Sequence, residues 1–247
     1  MYDFTPKKYT VNLFIPCHMD LFLPYGVQPI LSLLERMGEI PYYNSDLTCC
    51  GRQFLMRGEM DAAHDLAFRL VRYFDNGYPI VCPSSDCVGY LKKYAKQLCQ
   101  HSAVQSAVAH VVQDSYELCD YIVNKKHVEC LNNTFGHKVF YFRSCSARNV
   151  YPSDDAITLL QNTKGLELVT DPDMKLCCCG NGDFAMHNGE LTELMLKQIV
   201  DRISSYDVEF VTSTDLHCLQ YIDAYIATRN DVKFNVVPIA EILKSEK

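Results

Sequence analysis

Short apolar runs alternate along the chain with longer stretches in which apolar residues recur every three or four positions, a pattern that predicts strands followed by amphipathic helices. Val11-Asn12-Leu13-Phe14-Ile15-Pro16 reads as a buried strand ending at Cys17. A helix is expected next, because Pro24 suits a first turn, Val27, Ile30, Leu31 and Leu34 fall at helical spacing, and Gly38 stops it. Ile40-Pro41-Tyr42-Tyr43 predicts a second strand. The stretch 60–74 predicts a helix with Ala63, Leu66, Ala67, Leu70, Val71 and Phe74 on one face. Tyr78-Pro79-Ile80-Val81 predicts a third strand, followed by a helix over 88–98. The region 99–123 is helical in pattern and is expected to form a bridge. A second series then begins: a strand over 138–142, a helix over 154–161 and a strand over 166–169. It continues with a helix capped by Asn188, with Leu191, Leu194, Met195, Ile199 and Ile203 as its apolar stripe, and a strand over 208–212. The stretch 234–239 supplies one more strand before a terminal helix.

This alternation implies an α/β fold, with parallel sheets joined by right-handed crossovers in both series. Ligands of open parallel sheets gather beyond the carboxyl ends of the strands. The chain carries its most reactive residues there.

Asp46-Leu47-Thr48-Cys49-Cys50-Gly51 returns as Met174-Lys175-Leu176-Cys177-Cys178-Cys179-Gly180. Each copy lies between a lone upstream and a lone downstream cysteine, Cys17 and Cys87 for the first and Cys145 and Cys218 for the second, at nearly equal intervals. Two duplicated halves are the simplest reading, 1–125 with the bridging helices and 126–247, each with a four-thiolate site. Every one of these cysteines follows a predicted strand or lies in the loop it feeds. Residues dozens of positions apart can therefore converge on one cofactor.

Composition sharpens that expectation. Thirteen cysteines in 247 residues are too many for disulfides in a reducing compartment, and they point to metal or redox chemistry. The first residues lack the apolar core of a signal peptide, so a cytoplasmic location is expected, and no apolar run is long enough to span a membrane. A formal charge of −7 argues against binding nucleic acid, which rewards a basic surface. No Gly-rich phosphate loop or nucleotide fingerprint appears, so the electron source is expected on another protein.

Iron and zinc both take thiolates. Cysteines that share one zinc are usually separated by two or more residues, whereas adjacent cysteines can reach different metals of a cluster. The spacing therefore favours an iron–sulfur cluster over zinc. Cys82 and Cys177 lie close enough to be spare ligands or packing residues, and Asp215 is a carboxylate ligand, a proton carrier or a helix cap. Cys99, Cys119 and Cys130 have no counterparts in the repeat and are expected to pack as small apolar residues. Met56 and Met60 are expected to fill core. His18 and His217 each adjoin a site cysteine, and either tune or ligate a cluster or have a supporting or surface role.

Both halves resemble the CCG, or cysteine-rich, domain of heterodisulfide reductase, of the iron–sulfur subunit of glycolate oxidase and of the lactate-utilisation protein A group. The matching stretches are Cys49-Cys50-Gly51, the helix beginning near Arg57-Gly58-Glu59, Pro83-Ser84-Ser85-Asp86-Cys87, and Asp215-Leu216-His217-Cys218-Leu219-Gln220-Tyr221-Ile222. Size and the lack of a ferredoxin-type domain make the likeness to the lactate-utilisation group greatest. The resemblance implies two CCG halves related by a pseudo-two-fold axis, and an oxidoreductase subunit transferring electrons in L-lactate oxidation to pyruvate. It implies one or two [4Fe-4S] clusters on Cys17, Cys49, Cys50, Cys87, Cys145, Cys178, Cys179 and Cys218, with zinc as the alternative at one site. It also implies partner subunits in a complex. Ser84 and Asp215 stand where the family's five-cysteine pattern has another cysteine, which departs from disulfide-reducing relatives. Disulfide reduction at a cluster and a purely structural zinc protein are the alternative functions.

Overall fold

Residues 9–47, 49–178 and 182–245 are described by the computed structural model. In the first half β1 (Val11–Leu13) lies between β2 (Pro41–Tyr43) and β3 (Ile80–Cys82), and β4 (Ser115–Glu117) flanks β3. The second half repeats the arrangement: β5 (Lys138–Tyr141) lies between β6 (Glu167–Val169) and β7 (Phe210–Thr212), with β8 (Asn235–Val236) beyond β7. All six pairings are parallel. The orders β2-β1-β3-β4 and β6-β5-β7-β8 are the same topology twice. The fold is α/β with duplicated halves.

Helices make the crossovers that parallel pairing demands. Val27–Arg36 connects β1 to β2 and Met60–Tyr73 connects β2 to β3. Ser85–Leu98 and Gln105–Gln113 connect β3 to β4. In the second half Asp155–Gln161, Gly189–Ser204 and Leu216–Ile226 do the same, and Ile239–Lys244 closes the chain. The central strands β1 and β3 are buried throughout, as apolar strands covered on both faces should be. One apolar core runs from β1 and Val27–Arg36 through β5 and β7 to Leu216–Ile226, and a second fills the other face of the first half. Shared core on this scale holds the halves together.

Asn12 is the polar exception inside β1. It is fully buried, and its amide exchanges hydrogen bonds with Asn76, donating to Asn76 Oδ1 at 2.9 Å and accepting from Asn76 Nδ2 at 2.8 Å. It also donates to the Tyr78 carbonyl at 3.0 Å, tying the approach to β3 to the neighbouring strand.

Several sequence expectations change. The region 99–123 is not wholly helical: Ser115-Tyr116-Glu117 forms β4, whose two inward residues are polar and left no apolar signal. The helix expected from Val88 starts at Ser85, because Ser84 caps it. Asn188 occupies the cap position of Gly189–Ser204 without a side-chain capping bond, and its amide donates instead to the Phe184 carbonyl at 3.1 Å. That helix buries Thr192, Leu196, Ile199, Val200 and Ile203, leaving Leu191 and Leu194 exposed. Ile239 belongs to the last helix, not to β8. Met56 and Met60 are exposed, as is Cys130. Among the described residues no helix is long and apolar enough to cross a membrane.

Candidate metal centres

The first thiol group forms where β1 and β3 end. Cys17 begins a short helix directly after β1, Cys82 is the last residue of β3, and Cys87 lies in the first turn of Ser85–Leu98. Cys49 and Cys50 arrive from the segment after β2. Cys50 Sγ lies 3.5 Å from Cys87 Sγ, Cys82 also hydrogen-bonds Cys87, and Cys17 hydrogen-bonds Cys49. Five free thiols thus form two hydrogen-bonded sets, Cys50–Cys87–Cys82 and Cys17–Cys49, joined through the adjacent Cys49 and Cys50.

Local backbone explains how two adjacent cysteines reach one place. Gly51 adopts φ 90°, a left-handed conformation that glycine takes without the Cβ penalty. A Cβ there would lie 3.3 Å from Leu66 Cβ and 3.4 Å from the Tyr90 hydroxyl. The turn directs the Gly51 N–H onto Cys49 Sγ at 3.3 Å. Tyr90 is 2% exposed, and its hydroxyl has no hydrogen-bond partner among the described residues. A buried, unsatisfied donor costs about 1–3 kcal/mol, so it marks a place where an acceptor belongs.

Electrostatics separates the thiols. The hydrogen bond from Cys17, helped by the Gly51 N–H, lowers Cys49 to about 6, while the same contact and burial push Cys17 up. The hydrogen bond to Cys87 and burial raise Cys50, and burial raises Cys82. Several buried thiols held protonated by their surroundings would ionise together only against a positive charge, which a bound metal supplies. The donor set therefore fits a thiolate-bound metal group. Among the described residues no group of three or more His, Cys, Asp or Glu is arranged around a single point as one ion would require.

The second group occupies the same positions in its half. Cys145 opens the short helix after β5, and Cys218 lies in the first turn of Leu216–Ile226. Cys178 Sγ is 2.8 Å from Cys218 Sγ, and Cys145 hydrogen-bonds Cys177. Burial and the charge of Cys177 raise Cys145 to about 12. Arg148 Nη2 approaches Cys177 Sγ at 3.6 Å. Cys179 lies outside the described residues.

Ser84 and Asp215, the two departures from the five-cysteine pattern, perform the same local task. Ser84 accepts from the Cys87 N–H at 3.5 Å and Asp215 from the Cys218 N–H at 3.3 Å, so each caps the helix that carries a site cysteine. Burial and the charge of Asp86 raise Asp215 to about 6.

The two helices meet between the thiol groups, where the Ser85 N–H donates to the Thr214 carbonyl at 3.0 Å. Arg52 Nε pairs with Asp86 Oδ2 at 3.0 Å, and Ser146 donates to the other oxygen of Asp86. Across the seam His18 and His217 stack with ring centroids 3.9 Å apart. Burial lowers both imidazoles, His18 to about 2, so both are neutral near pH 7. Of these residues the sequence singled out only the two histidines. The signal for the rest was adjacency: Asp86 and Ser146, like His18 and His217, are chain neighbours of repeated cysteines.

A cysteine-rich (CCG) domain model matches residues 11–92 and again 139–223, spanning both thiol groups and most of both sheets. The chain belongs to the CCG cysteine-rich domain family. It is 30% identical over 234 residues to lactate utilization protein A of Anoxybacillus flavithermus, covering 94% of this chain and 98% of that relative. It is 30% identical over 239 residues to lactate utilization protein A of Oceanobacillus iheyensis, covering 96% and 97%. An uncharacterized Escherichia coli protein, YkgE, is 29% identical over 237 residues, covering 95% and 99%.

Proposed function

We propose that this protein is an iron–sulfur subunit of an oxidoreductase complex that oxidises L-lactate or a related 2-hydroxy acid to the 2-oxo acid. The observation that carries this reading is the meeting of Cys17, Cys49, Cys50, Cys82 and Cys87 at the ends of β1 and β3, beneath the unpartnered Tyr90 hydroxyl. The similarity to lactate utilization protein A supports the substrate class. Cys17, Cys49, Cys50 and Cys87 would hold one [4Fe-4S] cluster, and Cys145, Cys178, Cys179 and Cys218 a second, with Cys82 and Cys177 beside them. Bound there, a cluster supplies one-electron redox chemistry.

The chain's own residues prepare those places. Gly51 lets the backbone approach the thiols, and Tyr90 offers a hydrogen bond to a sulfur. Ser84 and Asp215 fix the helix turns on which Cys87 and Cys218 ride. Removing two electrons from a 2-hydroxy acid requires an acceptor that passes them on singly, and the sequence carries no flavin or nicotinamide fingerprint. Partner subunits would supply that acceptor. Ser84 and Asp215, where disulfide-reducing relatives have cysteine, weigh against disulfide reduction.

Anaerobic purification tests the reading. Brown protein with near-stoichiometric iron and sulfide, and a cluster signal in electron paramagnetic resonance after dithionite reduction, is the expected result. Colourless protein containing zinc would overturn it.

A further inference from the structure

Two cavities open on the seam between the halves, and the duplicated elements relate one to the other. Aligning Cys17 with Cys145 and Cys87 with Cys218 equates His18 with Ser146, Phe22 with Val150, His217 with Asp86, Gln220 with Gly89, Tyr221 with Tyr90, and Ala224 with Lys93. Tyr90, Lys93, Ser146, Val150 and Asp86 line one cavity. His18, Phe22, His217, Gln220 and Tyr221 line the other, together with Gln53 and with Ala224 at its exposed mouth.

The same positions are filled in opposite ways. On the Asp86 side the polar groups satisfy one another: Arg52 pairs with Asp86, and Ser146 hydrogen-bonds it. Gly89 also lets the second half press in, for a Cβ at Gly89 would lie 2.7 Å from Val150 Cγ1. On the His18 side Gln220 stands where glycine would be, and the cavity has a volume of about 360 Å3. His18 is 3% exposed, yet among the described residues neither ring nitrogen has a hydrogen-bond partner, and His217 Nδ1 lacks one as well. Three such buried nitrogens, at about 1–3 kcal/mol each, are a cost that would be relieved by a ligand toward which the rings turn.

The lining limits what that ligand is. The two imidazoles line it with ring nitrogens, and the amides of Gln53 and Gln220 add donors and acceptors. No carboxylate lines the cavity among the described residues. Phe22 and Tyr221 give an apolar wall. A small anion with an added hydroxyl or oxo group and a short alkyl end matches all of these features. The volume falls in the range of about 300–1,000 Å3 common for ligand pockets.

We propose that the His18–His217 cavity binds a short 2-hydroxy- or 2-oxocarboxylate, its polar end facing the two imidazoles and its alkyl end facing Phe22. The choice of this acid over other small anions rests on the functional reading above. The cavity lies between the two thiol groups, within one residue of Cys17 and of Cys218.

Calorimetric titration of the anaerobically purified full chain with L-lactate and with pyruvate tests the proposal, with lactamide as the uncharged control. Saturable binding of both acids and none of lactamide is expected. Ala224→Trp, at the exposed mouth, should weaken binding about tenfold or more, Gln220→Leu by a smaller factor, and Lys93→Trp in the related cavity by less than about twofold. Circular dichroism confirms that each variant folds. Absence of acid binding, equal binding of lactamide, or loss of binding in Lys93→Trp and not in Ala224→Trp would overturn the proposal. Iron and sulfide measured on the same preparation separate the two ideas: colourless protein that binds lactate sinks the cluster reading alone, and brown protein that does not bind it sinks the cavity alone.

Discussion

Gly89 and Val150 touch across the seam so closely that a methyl group on Gly89 would come within 2.7 Å of Val150 Cγ1 and a Cβ-to-Cβ distance of 3.4 Å. Gly89 lies inside Ser85–Leu98, where glycine is less favourable than alanine by about 1 kcal/mol, so its presence is explained by the neighbouring chain and not by its own helix. Gly89→Ala sets that propensity gain against a tight contact and should leave stability nearly unchanged. Gly89→Leu has no such offset, and overpacking of this kind costs about 1–3 kcal/mol. Chemical denaturation of the two variants checks the contrast, and equal stability would mean that the halves separate freely at this point.

The cysteines divide into testable classes. Cys87→Ser should remove the iron of the first half and spare that of the second, and Cys218→Ser should do the reverse. Cys99→Ser, a buried thiol without a repeat counterpart, should leave both in place. Iron and sulfide assays on folded protein distinguish these outcomes from general loss of structure, which would strip all three variants alike.

Tyr90→Phe deletes a buried hydroxyl that lacks a partner among the described residues. In metal-free protein the change should stabilise by about 1 kcal/mol or more, because an unsatisfied polar atom disappears. In cluster-loaded protein it should lower the midpoint potential on the order of tens of millivolts, because hydrogen bonds to sulfur stabilise the reduced, more negative state. A thermal melt and a potentiometric titration read the two effects, and a potential that rises would count against Tyr90 as a donor.

Glu117 supplies a pH prediction away from the cysteine pairs of the repeat. Burial raises its carboxyl from 4.5 to about 8, with only partial relief from the Cys119 N–H, which donates to Oε2 at 2.8 Å. The folded protein therefore keeps a proton that the unfolded chain releases. Its stabilising contribution is full below about pH 4.5 and is lost as pH rises through about 8. Glu117→Gln should flatten the decline in melting temperature between pH 5 and pH 8, and an unchanged slope would show that Glu117 ionises as readily in the fold as outside it.

Where burial was apolar, the fold was legible. Val11-Asn12-Leu13 and Lys138-Val139-Phe140-Tyr141 each contain a run long enough to read as a strand, and the doubled Cys-Cys-Gly exposed the duplication. β4 was illegible because its inward residues, Ser115 and Glu117, are polar: Ser115 donates to the Val111 carbonyl, and Glu117 Oε2 accepts from the Cys119 N–H. The stripe of Gly189–Ser204 was misjudged because Leu191 and Leu194 face outward while Thr192 faces in. Periodicity reports which residues are apolar; it does not report which side of the helix finds a neighbour.

The candidate sites were legible as far as chain spacing reaches. Cys17, Cys49, Cys50 and Cys87 recur in the spacing of Cys145, Cys178 and Cys218, so the contacts of Cys50 with Cys87 and of Cys178 with Cys218 could be expected without coordinates, while Cys179 lies outside the described residues. The contacts of His18 with His217 and of Ser146 with Asp86 join residues from opposite halves, and no local pattern encodes which halves' neighbours meet. Duplication alone would suggest two like pairs, whereas the chain has made one pair imidazole and the other acid and alcohol.

The amide clamp between Asn12 and Asn76 has a consequence at the far end of its strands. Side chains alternate along β3, so sliding that strand one step would turn Cys82 away from Cys87 and present Val81 in its place. Two asparagines more than sixty positions apart thereby act as a gauge block, setting from the amino end of β3 the height at which the sulfurs stand level.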